Sequence, residues 1–207
     1  MAATVIEIWN RALNKIGETD VVTSESEDRL AARTCNRVWA DIRDEVLCDY
    51  PWEFAKKQAE LTEDTLTERV GWEHIYTLPA DFLRARALLT QDARMSVLEP
   101  ETREPFELML NDAEDGQILC CDVAEADIDV LEYTAQIDDV TLYPPAFVNA
   151  VAFRLAEELA YALKKNPQMA DIMRARYAVA GSVAFAQQLR GQQDDPPLQC
   201  RSMRSRN

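Results

Sequence analysis

The 207-residue sequence holds one histidine, five glycines and no unbroken apolar run near the ~20 residues that cross a bilayer. With His74 alone, a histidine metal cluster and an H-E-x-x-H helix are both excluded. A Ser-His-Asp or Cys-His arrangement would have to run through His74. That residue lies in Gly71-Trp72-Glu73-His74-Ile75-Tyr76, with no nucleophile elbow nearby, so it reads as a surface or hairpin histidine. The few glycines form neither G-x-x-x-x-G-K-[ST] nor G-x-G-x-x-G, which excludes P-loop, kinase and Rossmann readings. Cys35, Cys48, Cys120, Cys121 and Cys200 are odd in number and form no C-x-x-C pair. A disulfide framework is not expected, and a reducing compartment fits. A basic stretch followed by an apolar one is missing from the first residues, so no signal peptide is expected.

Basic residues are also scarce: 22 Lys and Arg stand against 37 Asp and Glu, a formal net charge of −15. Gripping a nucleic acid needs cations that displace counterions, and this balance argues against it. It permits a duplex to slide past, because like charge prevents sticking. Solubility alone is the simpler reading of the charge. Against these deficits, 47% of residues are hydrophobic and 29% charged. That suits a well-solvated chain with a sizeable core, one domain or one with a modest insertion.

Helical spacing dominates both ends. Thr4 and Glu7 have capping-box spacing; Val5, Ile8, Ala12, Leu13 and Ile16 then share a face, and Gly17 offers a left-handed stop. After a polar connection at 19–25, Ser24 and Glu27 repeat the capping spacing and predict a second helix from about 24–26. Its buried stripe is Leu30, Ala31, Cys35, Val38, Ile42, Val46 and Leu47; Arg33, Arg37, Asp41, Asp44 and Glu45 take the wet side. Pro51 ends it near Tyr50. Tyr143-Pro144-Pro145 predicts a third start, followed by Phe147, Val151, Leu155, Leu159 and Leu163, with Val148, Ala152, Ala156 and Ala160 widening the face. Asn166-Pro167 breaks that helix and caps a fourth. Met169, Ile172, Met173, Ala180, Val183 and Ala184 form its apolar face, ending near Gly191. Its alanines allow another helix to approach closely, in the same subunit or the next.

Between 52 and 140 the helical period weakens. Short apolar stretches lie at 75–78, 85–89, 95–98, 106–110, 118–121 and 128–133, and Asp115-Gly116 is a hairpin-turn pair. The expected fold is therefore α+β, mainly α: an antiparallel helical bundle of about four long helices with a small inserted antiparallel β region and an extended C-terminal tail. Its expected parts are 1–52 and 143–192 as helical body, 53–142 as β insertion and 193–207 as tail. In that tail Asp194-Asp195-Pro196-Pro197 cannot continue a helix. Leu198, Arg201, Met203, Arg204 and Arg206 then make the one locally basic stretch, read either as a frayed terminus or as a docking arm that orders on a partner.

Catalytic chemistry is not legible, and neither a cofactor nor a metal is expected. The segment 111–122 imitates a calcium loop with Gly116 at its sixth position. However, Ala113 occupies a ligand position and Asp122 replaces the bidentate glutamate. A carboxylate pair could hydrolyse a glycoside, but nothing singles out one pair among 37 acids. A virion-associated cell-wall or polysaccharide hydrolase is thus the alternative. Trp9, Trp39, Trp52 and Trp72 could stack on sugars or single strands, but Trp9 and Trp39 lie on or beside apolar helical stripes and read as packing.

Several blocks together resemble a known family. They are Ile8-Trp9-Asn10-Arg11-Ala12-Leu13-Asn14-Lys15-Ile16-Gly17; Arg43-Asp44-Glu45 leading to Pro51-Trp52-Glu53-Phe54-Ala55; Trp72 followed by Tyr76-Thr77-Leu78-Pro79-Ala80-Asp81-Phe82-Leu83-Arg84; and Tyr143-Pro144-Pro145-Ala146-Phe147 before the Leu155-Ala156 and Leu159-Ala160 helix. In this order, across about residues 4–189, they resemble podophage tail tubular protein A, the head-to-tail adaptor. The tail shares no motif with that family. The resemblance implies a non-enzymatic virion protein at the capsid–tail junction that is made in the host cytoplasm. It implies a closed ring of identical subunits, twelve copies, beneath the portal protein, with duplex DNA passing through the lumen unbound. The helices would form the ring wall and portal contact. The β region would face the distal tube or nozzle protein and tail fibres, and the last residues would reach along the portal.

Overall fold

The computed structural model describes residues 3–65, 70–90, 104–111, 116–125 and 127–193. The chain divides into two compact units, 1–42 with 140–207, and 43–139, so that the boundary falls inside the second helix.

In the first unit, α1 (Val5–Lys15) begins as its sequence requires. Thr4 Oγ1 accepts the Glu7 N–H at 3.2 Å, and Glu7 Oε2 accepts the Thr4 N–H at 3.0 Å. Both bonds satisfy first-turn donors that helix geometry leaves open. Gly17, at φ +72°, makes the left-handed stop. Asn10 then fastens the connection that follows: its amide donates to Val22 O at 2.8 Å and its Oδ1 accepts the Val22 N–H at 2.9 Å.

Helix α2 (Leu30–Asp49) starts later than the capping spacing predicts. The Glu27 carboxylate reaches back to the Thr23 N–H and hydroxyl, at 2.9 and 3.3 Å, instead of completing a box with Ser24. That closes a local turn and leaves 24–29 outside the helix. Leu30, expected in the buried stripe, is 63% exposed, whereas Cys35, Ile42, Val46 and Leu47 are buried.

Helix α3 (Pro145–Lys164) is buried around most of its circumference, at Phe147, Val148, Ala150, Val151, Ala152, Leu155, Ala156, Leu159 and Ala160. It packs against α1 on one side and against α4 (Pro167–Gln193) on another. Each fully buried Leu, Phe or Val contributes about 1.5–3 kcal/mol relative to exposure. Lys165 at φ 49° turns the chain, and Asn166 Oδ1 caps α4 through the Met169 N–H at 3.1 Å.

The second unit corrects the expected architecture. It is not a small insertion in a helical bundle. Among the described residues the chain has four α-helices and seven strands in two antiparallel sheets, an α+β fold. One sheet has the order β1 (Lys56–Ala59), β7 (Ile128–Ala135), β4 (Phe82–Thr90), with Lys57 opposite Tyr133 and Leu88 opposite Leu131. The other has the order β2 (Thr62–Glu63), β3 (His74–Thr77), β6 (Gln117–Cys121), β5 (Phe106–Leu110), with Ile75 opposite Cys120. Strands β5 and β6 form the expected hairpin, but Leu110 pairs with Gln117, so the loop is longer than a two-residue turn. Asn111 and Gly116 close it, the Asn111 N–H donating to Gly116 O at 3.0 Å.

The reason for the correction is burial. Ile118, Leu119, Cys120 and Cys121 are all buried in succession, so β6 is covered on both faces. In the other sheet Ala87 and Leu88 are buried in succession, as are Tyr133, Thr134 and Ala135. Ile75, Ile118 and Cys120, with Trp72 and Met109 packed against them, form a hydrophobic core cluster within the region. The apolar stretch at 95–98, Asp115 and the tail 194–207 lie outside the described residues.

Candidate functional site

On the first unit an apolar groove of about 810 Å³ runs between α3 and α4. Ala146, Asn149 and Phe153 line it from α3; Ile172, Ala175, Arg176, Val179, Val183 and Gln187 line it from α4. Both sets repeat every three to four residues, so each is one face of its helix. Met173 and Tyr177 are turned inward and buried, whereas Ile172, Val179 and Val183 are 52, 63 and 50% exposed. The sequence placed Ile172 and Val183 on the apolar face of this helix and left open whether that face meets a helix of the same subunit or of the next; in the single copy both are exposed. The sequence reading overlooked Val179. The available signal was that apolar residues on α4 occupy more of the circumference than one packing face can use.

Two features stiffen and charge this groove. Glu157, a buried carboxylate, accepts Arg174 Nε at 2.7 Å and Arg154 Nη1 at 3.2 Å, so α3 and α4 are tied by a charge-assisted bridge. Lys15 Nζ sits 3.4 Å from the centre of the Phe153 ring and 3.3 Å from Asn149 Oδ1. Burial, and then the neighbouring Arg176 and Arg11 charges, push the Lys15 pKa below its ordinary value. A cationic cluster therefore borders an apolar groove on a strongly acidic chain.

The residues that carried the family resemblance serve as braces. Buried Arg43 bonds both carboxylate oxygens of Asp44 and pairs with Asp138, while Gln136 Nε2 donates to Asp44 Oδ2 at 2.9 Å. Trp52 is buried; its Nε1 donates to Val46 O at 2.7 Å, and its carbonyl accepts Arg86 Nη2 at 2.6 Å. Asp81 accepts Lys57 Nζ at 2.6 Å and the Tyr133 hydroxyl at 2.9 Å. Burial opposes the Asp81 charge, but these two bonds outweigh it and hold the carboxyl below its ordinary pKa. Burial, with Asp81 beside it, pushes the Tyr133 hydroxyl up to about 12.

The remaining sequence candidates separate rather than converge. His74 lies half-buried in β3, its Nδ1 2.6 Å from Glu63 Oε1 on the two-residue strand β2. Trp9 is fully buried and meets Trp39 edge-on at 6.4 Å, which is packing. Its Nε1 is the one buried side-chain polar atom without a hydrogen-bond partner among the described residues. Trp72 Nε1 donates to Glu107 Oε2 at 3.1 Å. The calcium-like segment has its described carboxylate, Asp122, engaged with the Glu73 N–H at 3.2 Å. Cys35, buried, has its thiol pushed up to about 12. Leu198, Arg201, Met203, Arg204 and Arg206 lie outside the described residues. Compared with known proteins, the chain matches no family model, and no curated protein matches it significantly.

Proposed function

We propose that this chain is a structural subunit without turnover: the head-to-tail adaptor of a short-tailed bacteriophage, working by assembly into a ring. The observation that carries the reading is the open groove between α3 and α4. It leaves three large aliphatic side chains of α4 in water, beside the buried face of that helix formed by Ala170, Met173, Tyr177 and Ala184. Exposed apolar surface of that kind is recovered by a protein partner. The ordered blocks that resemble tail tubular protein A point to which partners: further copies of the chain, the portal above and the distal tube or nozzle below, with fibres beside it.

Twelve copies closing around an axis would leave a lumen. On a chain of net charge −15 that lumen would repel phosphates, so DNA could pass without adhering. The tail residues Leu198, Arg201, Met203, Arg204 and Arg206 would dock the portal, their arginines supplying the charge that the rest of the chain lacks. The chain would reside in the virion at the capsid–tail junction, after assembly in the host cytoplasm.

Imaging of intact particles by electron cryomicroscopy tests the reading. Density for this chain is expected as a ring under the portal; its presence elsewhere in the particle, or its absence from particles, overturns the proposal. Removal of residues 194–207 is expected to weaken portal binding while leaving the thermal melt of the body unchanged. Undiminished binding would dismiss the tail as the docking arm.

A further inference from the structure

We infer that the groove between α3 and α4 of one copy receives the connection between α1 and α2 of a second copy, with Val21 and Leu30 entering the apolar floor and the neighbouring acids meeting Arg176. This deepens the self-association proposed above and rests on it, but not on the phage role.

The occupant has to match two properties of the groove, its aliphatic floor and its cationic border. The connection from 18 to 30 has both complements. Val21 and Leu30 are 57 and 63% exposed. Around them stand Glu18, Asp20, Glu25, Glu27 and Asp28 against the single Arg29. Some of these acids have surface partners, as with Lys164 for Glu18 and Arg33 for Asp28. Such pairs contribute little and exchange readily for a better-enclosed partner. The connection is also preformed, by the two Asn10–Val22 bonds and the Glu27–Thr23 turn, so little ordering cost falls on association.

Other occupants fit less well. A second groove facing the first would set Arg176 and Lys15 against their own copies. The segment 194–207 carries three arginines against two aspartates and would bring positive charge to a positive border. The pocket that Val22 and Leu30 line shares no residue with the groove. Two different surfaces meeting head to tail give a heterologous contact, which repeats from copy to copy and closes as a ring or continues as a filament.

The test is sedimentation of the full chain from about 10 μM to about 1 mM, a range that reads weak dissociation constants. Wild type is expected to associate with concentration. Val179→Asp with Val183→Asp blocks the groove, and Val21→Asp with Leu30→Asp blocks the connection; each pair is expected to weaken association at least roughly tenfold, as buried interface anchors do. All four positions are exposed in the single copy, so folding is retained, and circular dichroism checks it. Mixing the two blocked proteins is expected to give a heterodimer that grows no further, since only one intact pair of surfaces remains. Arg176→Glu is expected to weaken association, and Glu25→Lys in the same chain to restore part of it.

A connection-blocked protein that associates like wild type overturns the inference, as does a wild type that stays monomeric throughout. So does loss of association on removing 194–207 with the connection intact. The two proposals fail separately. Head-to-tail association in a chain absent from the particle neck removes the phage role and keeps the contact; a neck ring with Val21 and Leu30 facing away from the groove does the reverse.

Discussion

The helical unit leaves Val21, Leu30, Leu142, Tyr161, Ile172, Val179, Val183 and Phe185 exposed, whereas in the β unit only Val70 and Leu110 are so among the described residues. Polar bonds fasten both units, and in the β unit several of them are buried or half-buried. Arg43, Trp52, Arg84 and Arg86 cross-link the β unit, each reaching a backbone carbonyl or a carboxylate of another segment, and Asp81 accepts Lys57 and Tyr133. Among the described residues the helical unit therefore exposes more large apolar side chains than the β unit does. Stability should reside in fasteners on one side and association in open surface on the other.

Three substitutions press on that contrast, from the largest effect down. Trp52→Ala removes a buried indole together with its bond to Val46 O, and is expected to cost about 3–5 kcal/mol. Urea denaturation followed by circular dichroism reads it; a cost under about 1 kcal/mol would place the bracing elsewhere.

Asp81→Asn is expected to cost about 1–2 kcal/mol at neutral pH, through the charged bonds to Lys57 and Tyr133. Because the folded Asp81 carboxyl is held below its ordinary value near 3.8, its stabilisation is complete above that value. It is lost as pH falls through the depressed folded value. The gap between wild type and Asp81→Asn should accordingly shrink in acid, and a gap that stays constant from pH 7 to strong acid would contradict the assignment.

Ile172→Ser belongs to the open surface and is expected to change the stability of the single copy by no more than about 0.5 kcal/mol, though it removes an aliphatic side chain. A melt lowered as far as that of Trp52→Ala would mean that Ile172 is already packed, and the contrast between the units would collapse.

How much of this the sequence disclosed depends on the range over which each signal acts. The Thr4–Glu7 box, the Gly17 stop, the end of α2 before Pro51 and the Asn166 cap are local, and each was legible from neighbours three or four residues apart. The start of α2 was misread because Glu27 can bond either Ser24 or Thr23, and only the folded turn selects Thr23. Strand β1, Lys-Lys-Gln-Ala, shows no apolar alternation; it is a strand because β7, some seventy residues later, offers it an edge. The division into two sheets is likewise a matter of long-range pairing. At the groove, the sequence showed that α4 carries more apolar residues than one face needs, without showing which face is left over. The Arg176–Lys15–Arg11 cluster joins α1 to α4 across the fold and has no sequence spacing at all.

Native mass spectrometry of the full chain mixed with the portal protein of the phage proposed as its source weighs the proposed self-assembly most directly. Portal-bound species carrying a full complement of copies, dissociated by Val179→Asp with Val183→Asp, are the expected result. A chain that binds the portal singly or not at all, or that assembles undisturbed by those two aspartates, contradicts it.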